Sequence, residues 1–340
     1  MSVSTPPRTL AVSTEPLLFQ RLRLGANEAV PLALGGRRVG AGASSLHAAL
    51  LAPEGAVFDV WTSASPAEVH RHGCVRYATD GQWLHGFAEI EEIEERALGL
   101  HAASHHAYAD LFAVLAESAC PNLLRVWNYL ADINREADGS ERYRQFNAGR
   151  QQAFIEARRS AFEGSPAACA LGTQDGPLRV YFLAGRQAPL AIENPRQVSA
   201  YRYPNTYGPR SPTFSRAALV DVGDGRSALF ISGTASIVGH TTVHVGDVRK
   251  QTEESLLNIA TVRQVATERA GAVFAADELI YTVYVRDPAN LAVVREVFER
   301  EVGAESSAAR DAVYLQADIC RADLLVEIEA HGFAHTGVAA

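Results

Sequence analysis

Two glutamates, Glu327 and Glu329, lie two residues apart in the segment LLVEIEA (324–330). Side chains alternate across a strand, so Val326, Ile328 and Ala330 would face one side and the two carboxylates the other, about 7 Å apart. Ionised neighbours on one face repel, which raises one pKa. A raised carboxyl pKa is what a general acid near neutral pH requires. The same spacing also describes two ordinary glutamates on a solvated outer face. Cys320 ends the preceding apolar run, AVYLQADIC (312–320). With a turn at Arg321, Ala322 and Asp323, Cys320 is expected on a strand antiparallel to that of Glu327. A lone buried cysteine is otherwise a small hydrophobe.

The arginines are clustered. YRYPNTYGPRSPTFSR (201–216) holds three arginines, three tyrosines and two serines, and ERYRQFNAGR (141–150) supplies more. Such mixtures recognise carboxylates through charge-assisted forks. For Arg142 and Arg144 the expectation is instead a surface salt bridge. Pro209 and Pro212 exclude a central strand and make a stiff loop. Lys250 is the only lysine, so a Schiff-base or pyridoxal phosphate enzyme would have to use it. It stands in GDVRKQTEE, which reads as an exposed helix start. His240 and His244 sit at metal-like spacing, but in turn or strand and with no third ligand evident. His101, His105 and His106 read as surface residues of a helix start. GGRRVGAG (35–42) lacks a Walker lysine and the GxGxxG spacing, and no GxSxG elbow occurs. No metal site is expected.

Composition narrows the partners. The 340 residues carry 31 Lys plus Arg against 39 Asp plus Glu, a formal charge of −8, which argues against a nucleic-acid partner. An anionic substrate must therefore be caught by local arginines. No stretch reaches the ~18 apolar residues of a membrane span, and the N-terminus reads as having no signal peptide. The four cysteines, Cys74, Cys120, Cys169 and Cys320, show no CxxC pair and no disulfide framework, so a reduced, cytoplasmic protein is expected.

The elements that would position these residues occur twice. LHGFAEI (84–90) is matched by ISGTASI (231–237). Each is followed by an amphipathic helical stretch, 103–118 with Leu111, Phe112 and Leu115, and 251–267 with Leu256, Leu257, Ile259 and Ala260. Then come LLRVWNYLAD (123–132) and LIYTVYVRD (279–287), second helices at 141–162 and 290–302, and closing strands LRVYFLA (178–184) and LLVEIEA (324–330). This order predicts a duplicated α+β fold, each unit a mixed sheet with two helices packed on one face. The division is expected in a polar, proline-bearing stretch, giving domains 1–192 and 193–340. Glu327 is expected where the first half has Tyr181.

The second half resembles the RidA/YjgF family through GPRSPTFSRA (208–217), FISGTA (230–235), QTEESLLNI (251–259) and VEIEA (326–330). In that resemblance Glu327 is the catalytic carboxylate, and the arginine such proteins place shortly before this strand is replaced by VYLQ (313–316). The whole chain is similar to the chorismatases, which split chorismate into pyruvate and a six-carbon-ring acid. RVWNY (125–129), RYRQFNAGR (142–150) and the 201–217 segment carry that similarity. It implies two RidA/YjgF-like domains, with the catalytic Glu in the C-terminal one. Cys320 ahead of Glu327, with Gly233 in the ISGT string, implies the 3-hydroxybenzoate-forming type, which releases that acid alone or together with 4-hydroxybenzoate. The catalytic residues are then Glu327, Cys320 and Glu329. Chorismate would be held by Arg150, Tyr201, Tyr207, Arg210, Arg216, Gly233 and Thr234, with Gly233 leaving room for the ring. No cofactor, nucleic acid or membrane is implied, and a monomer is expected rather than a trimer. The alternatives are hydrolysis to 3,4-dihydroxycyclohexa-1,5-dienoate, a RidA-like enamine or imine deaminase, and a non-catalytic sensor of aromatic acids.

Overall fold

The computed structural model describes residues 17–24, 33–40, 46–63 and 65–336. The N-terminal stretch read as lacking a signal peptide lies outside them. Two seven-stranded sheets dominate. From one edge, the N-terminal sheet runs Ala167–Thr173, Asn122–Ala131, Leu178–Gly185, Trp83–Ile90, Val75–Thr79, Glu68–His72. The C-terminal sheet runs Val313–Gln316, Ile280–Val285, Val326–His335, Arg226–Ala235, Ala217–Gly223, Leu190–Ile192. In each, the first two strands are parallel and the rest antiparallel. The second half therefore repeats the first. Each sheet gains its seventh strand from the other half. Asp318–Ile319 pairs with Leu171 and Gly172, and Leu50–Ala52 pairs with Tyr314 and Leu315. Leu190–Ile192, ahead of the expected division, pairs with Ala217–Leu219 in the C-terminal sheet.

Leu84 faces Ala184 as Ile231 faces Ala330, and counting along the closing strands from these pairs puts Tyr181 at the place of Glu327. On the other side Tyr129 faces Arg179 and Tyr284 faces Glu327, across an irregularity between Leu183 and Ala184. Tyr129 and Tyr284 are themselves equivalent, and their hydroxyls meet 2.9 Å apart between the sheets.

Helices Leu100–Glu117 and Arg142–Glu156 cover the outer face of the N-terminal sheet, where Leu111, Phe112, Phe146 and Phe154 pack on Val126 and Phe182. Helices Val248–Ala270 and Leu291–Val302 cover the C-terminal sheet, where Ile259, Val262 and Phe298 meet Val326, Ile328 and Ala330. These stripes repeat every three or four residues, so one helix face is buried at a stroke. The inner faces of both sheets share a third core with a three-stranded antiparallel sheet, Leu18–Leu24, Ala56–Thr62 and Ala33–Gly40. Trp61, Trp83, Trp127 and Phe230 fill it. The described part of the glycine-rich run around Gly35 is thus a strand of this sheet.

Helix Val248–Ala270 explains two polar tags of the sequence. The Asp247 side chain accepts from the Lys250 N–H, and Gly271, with φ 61°, ends the helix in the left-handed conformation. Between these caps, Gln251 donates to the Asp323 carbonyl and accepts the Leu325 N–H, while Asn258 donates to the carbonyls of Ala235 and Ile237. Both fix the backbone that flanks Glu327 and Gly233.

Candidate active site

A cavity of about 330 Å³ opens where the halves meet, near the lower end of the roughly 300–1,000 Å³ range of ligand pockets. The C-terminal sheet supplies its Gly233, Ala235 and Glu327. The N-terminal half adds Glu141, Tyr143 and Arg144 at the start of helix Arg142–Glu156. The segment joining the halves closes it with Tyr203, Tyr207, Phe214 and Arg216. Cys320, Arg321 and Asp323 complete the wall.

A β-bulge makes room for Glu327. Ile231 faces Ala330 but Thr234 faces Ile328, so Ser232 and Gly233 form an extra step. Ser232 anchors it: its hydroxyl accepts the Ala168 N–H and donates to the Ser215 carbonyl. Gly233 then lies under the Glu327 carboxyl. A Cβ built on it would overlap Oε1 of Glu327 and stand 2.7 Å from Cδ and 2.9 Å from the Cβ of Cys169. The space expected for a substrate ring is thus first the space of the carboxyl. In the first half Trp83–Ile90 pairs without a bulge, and a Cβ on the matching Gly86 would meet Tyr77 and Phe182 instead. Tyr181 stands at the place of Glu327 on that count, and Arg179 on the same face is paired with Glu89. The first half has filled in its version of the site.

Burial raises the Glu327 carboxyl to about 8, helped by the nearby Glu329 and opposed by Arg125 and Arg216. It is 3% exposed and has no hydrogen-bond partner among the described residues. Glu329 behaves oppositely. Burial works against its charge, but Arg37 and Arg125 outweigh it and hold the carboxyl at about 2. Oε1 accepts from Arg37 Nη2 at 3.0 Å and from the Tyr284 hydroxyl at 3.0 Å, and Oε2 accepts from Arg125. Arg37 also pairs with Asp59, which Arg21 grips in turn. A chain of alternating buried charges thus runs from the three-stranded sheet to the base of the site. Burial, then Glu327, pushes the Cys320 thiol up to about 12.

The structure brings together Glu327, Cys320, Arg216, Tyr207 and Gly233 of the residues expected from sequence. Glu329 lies in the adjoining charge chain. Thr234 is buried and donates to the Ser232 carbonyl, bracing the bulge. Arg150 is buried against Phe146 and donates to Asn147, and Tyr201 stacks with Arg202; neither lines the cavity. Arg210 is exposed outside it. Cys320 does not follow a strand beside that of Glu327. Asp318–Ile319 crosses to the N-terminal sheet, because the 320–323 turn sends the chain between the two sheets. Arg142 is not a surface pair but is buried against Glu95, whereas Arg144 keeps the expected partly exposed salt bridge, to Glu141, at the rim of the cavity.

Arg321 and Tyr203 were missed by sequence reasoning. The Arg321 guanidinium stacks on Tyr207 at 3.9 Å and Tyr203 at 5.1 Å, and its Nη1 donates to the His240 carbonyl. The Arg216 Nη2 donates to the Val198 carbonyl and the Tyr203 hydroxyl, both at 2.8 Å. Among the described residues, Arg321 Nη2 and Arg216 Nε are buried without a partner. The available signals were an arginine directly after Cys320 and a third tyrosine in the 201–216 segment. The site therefore combines one protonated carboxyl, one protonated thiol and two cations with unsatisfied donors: an acid facing a place for anions.

Residues 59–184 match the family described as chorismatase FkbO/Hyg5-like, N-terminal. The chain is 37% identical over 298 residues to a 3-hydroxybenzoate synthase of Streptomyces hygroscopicus, covering 85% of each. It is 39% identical over 284 residues to a chorismatase of Streptomyces rapamycinicus, covering 80% of each. A crystal structure of a chorismatase superposes with a TM-score of 0.80 at 31% identity, covering 94% of this chain and 99% of that one.

Proposed function

The chain belongs to the chorismatase family, and we propose that it converts chorismate to 3-hydroxybenzoate and pyruvate. The observation that carries this reading is a neutral, buried carboxyl at the base of an arginine-lined cavity. Chorismate has two carboxylates, an enol ether at C3 and a hydroxyl at C4. Arg216 and Arg321 line the cavity and each keep an N–H without a partner, and Arg144, paired with Glu141, stands at the rim.

Glu327 protonates the enolpyruvyl methylene, which turns a poor leaving group into the ketone of pyruvate. The C3–O bond then breaks as the C4 hydroxyl attacks C3 and gives up its proton, closing an arene oxide. The Glu327 carboxylate left by the first step is placed to take that proton. The C4–O bond opens, the C3 proton leaves and the oxygen on C3 is protonated, giving 3-hydroxybenzoate. Hydroxybenzoate plus pyruvate has the atoms of chorismate, so no water is consumed, whereas the dihydroxy acid would need one. The aromatic lining excludes attacking water. With its thiol held up to about 12, Cys320 is a neutral group against the ring and not a base.

Incubation with chorismate followed by chromatography tests the reading. The expected products are 3-hydroxybenzoate and pyruvate, and Glu327→Gln abolishes both. In ¹⁸O-water the ring hydroxyl stays unlabelled; a labelled ring oxygen refutes internal attack. Cys320→Ala shifts product toward the dihydroxy acid. Ammonia release from enamines with no chorismate turnover would favour a RidA-like deaminase instead.

A further inference from the structure

At the far edge of the N-terminal sheet, the turn between Glu68–His72 and Val75–Thr79 folds over helix Leu100–Glu117. There the donor atoms of Cys74, His106 and Asp110 lie within 4.8 Å of one another, all partly buried. His106 Nε2 is 3.4 Å from Asp110 Oδ2, the spacing that a one-turn separation on a helix gives. The other ring nitrogen, Nδ1, is 3.4 Å from Glu94 Oε1. Asp110 Oδ2 also accepts the Cys74 N–H at 2.9 Å. The turn is closed tightly around that carboxylate: Gly73 has φ +54°, and a Cβ on it would overlap Oδ2 and stand 2.7 Å from Cγ. Among the described residues neither Asp110 nor Glu94 has an arginine or lysine within 4 Å. Two carboxylates and a thiol thus surround one imidazole with no fixed cation.

We propose that Cys74, His106 and Asp110 bind a divalent cation of the zinc type, with Glu94 orienting the imidazole from behind. The donor set is sulfur, nitrogen and oxygen, which suits a borderline-soft ion and not magnesium or calcium. Ligands about 2.0–2.3 Å from a tetrahedral metal are about 3.3–3.8 Å apart, so the three donors need close by only about an ångström. His106 would ligate through Nε2, while the Nδ1–H points to Glu94, the usual support for a metal-bound histidine. Three protein ligands leave a fourth position open. Binding replaces the thiol proton of Cys74 and releases it to solvent, with no change of oxidation state. The site lies four strand positions, about 19 Å, from the strand Ala167–Thr173 and shares no residue with the cavity, so it acts on the sheet edge and not on chorismate.

The test is titration of the chelator-treated full chain with Co²⁺, read by the near-ultraviolet thiolate-to-metal charge-transfer band, and competition with Zn²⁺. The expectation is one equivalent bound, displaced by Zn²⁺, with the band lost in Cys74→Ser and affinity at least tenfold weaker in His106→Ala. Glu94→Gln should weaken binding about 10–100-fold without removing the band. Zn²⁺ should raise the thermal midpoint of the wild type but not of Cys74→Ser, whose chorismate turnover stays at the wild-type level. No charge-transfer band, or a band that survives Cys74→Ser, overturns the proposal.

Discussion

Replacing Glu329 by Gln tests the electrostatic design of the site, because it removes the anion beside Glu327 without touching the cavity wall. Alternate residues on a strand place the two carboxyls about 7 Å apart. At an effective dielectric of about 20, their repulsion is about 2.4 kcal/mol, or about 1.7 pH units. Losing it lowers the Glu327 pKa from about 8 toward about 6.3. Arg37 and Arg125, left without their anion, push in the same direction. A general acid works in its protonated form, so activity falls as pH rises through this pKa. The alkaline limb of kcat/KM, which reports the free enzyme, should therefore move down by about 1.7 units, and turnover at pH 7.5 should fall about tenfold. The variant will also be less stable by about 3–5 kcal/mol, since two buried guanidinium groups lose a partner. Profiles are therefore recorded at low temperature on protein with native circular dichroism. An alkaline limb within about 0.3 units of the wild type, in folded protein, would refute the reasoning.

Glu327→Gln should stabilise the free protein, and more so at pH 8 than at pH 5. The folded pKa lies above the unfolded one, so the native carboxyl contributes stability below about 4.5 that is lost as pH rises through about 8; thermal melts at the two pH values check this. Gly233→Ala should push the Glu327 carboxyl off its bulge and change the ratio of 3-hydroxybenzoate to dihydroxy acid at least tenfold, and an unchanged ratio would show that the cradle does not position the acid. Arg321→Met keeps the packing on Tyr207 but removes a charge-assisted donor worth about 1.5–3 kcal/mol, so kcat/KM should fall about 10–150-fold, chiefly through KM.

The repeated order of strands and helices was legible because each element shows its period. The stripes at 103–118 and 251–267 match helices Leu100–Glu117 and Val248–Ala270, and alternation alone put Glu327 and Glu329 on the face opposite Val326 and Ile328. What sequence could not show was contact between distant segments. The exchange of Asp318–Ile319 and Leu50–Ala52 between sheets depends on long-range hydrogen bonds with no local signature. The same holds for Arg37, the fifth residue of the strand Ala33–Gly40, which reaches Glu329 across 292 residues. Arg142 was misread because a charged residue at a helix start normally faces water, while here its partner Glu95 lies buried beside it. Arg210 and Arg321 are alike in composition; only the turn after Cys320 decides which of them meets the cavity.

The traded end strands tie the two halves into a single cooperative body. Separating them at the linker would strip each sheet of its outermost rung and leave bare amides along the Ala167–Thr173 and Val313–Gln316 borders, places where foreign chains could attach. The ancestral unit, once doubled, was no longer free to come apart. One copy could then surrender its own chemistry and become scaffolding for its twin.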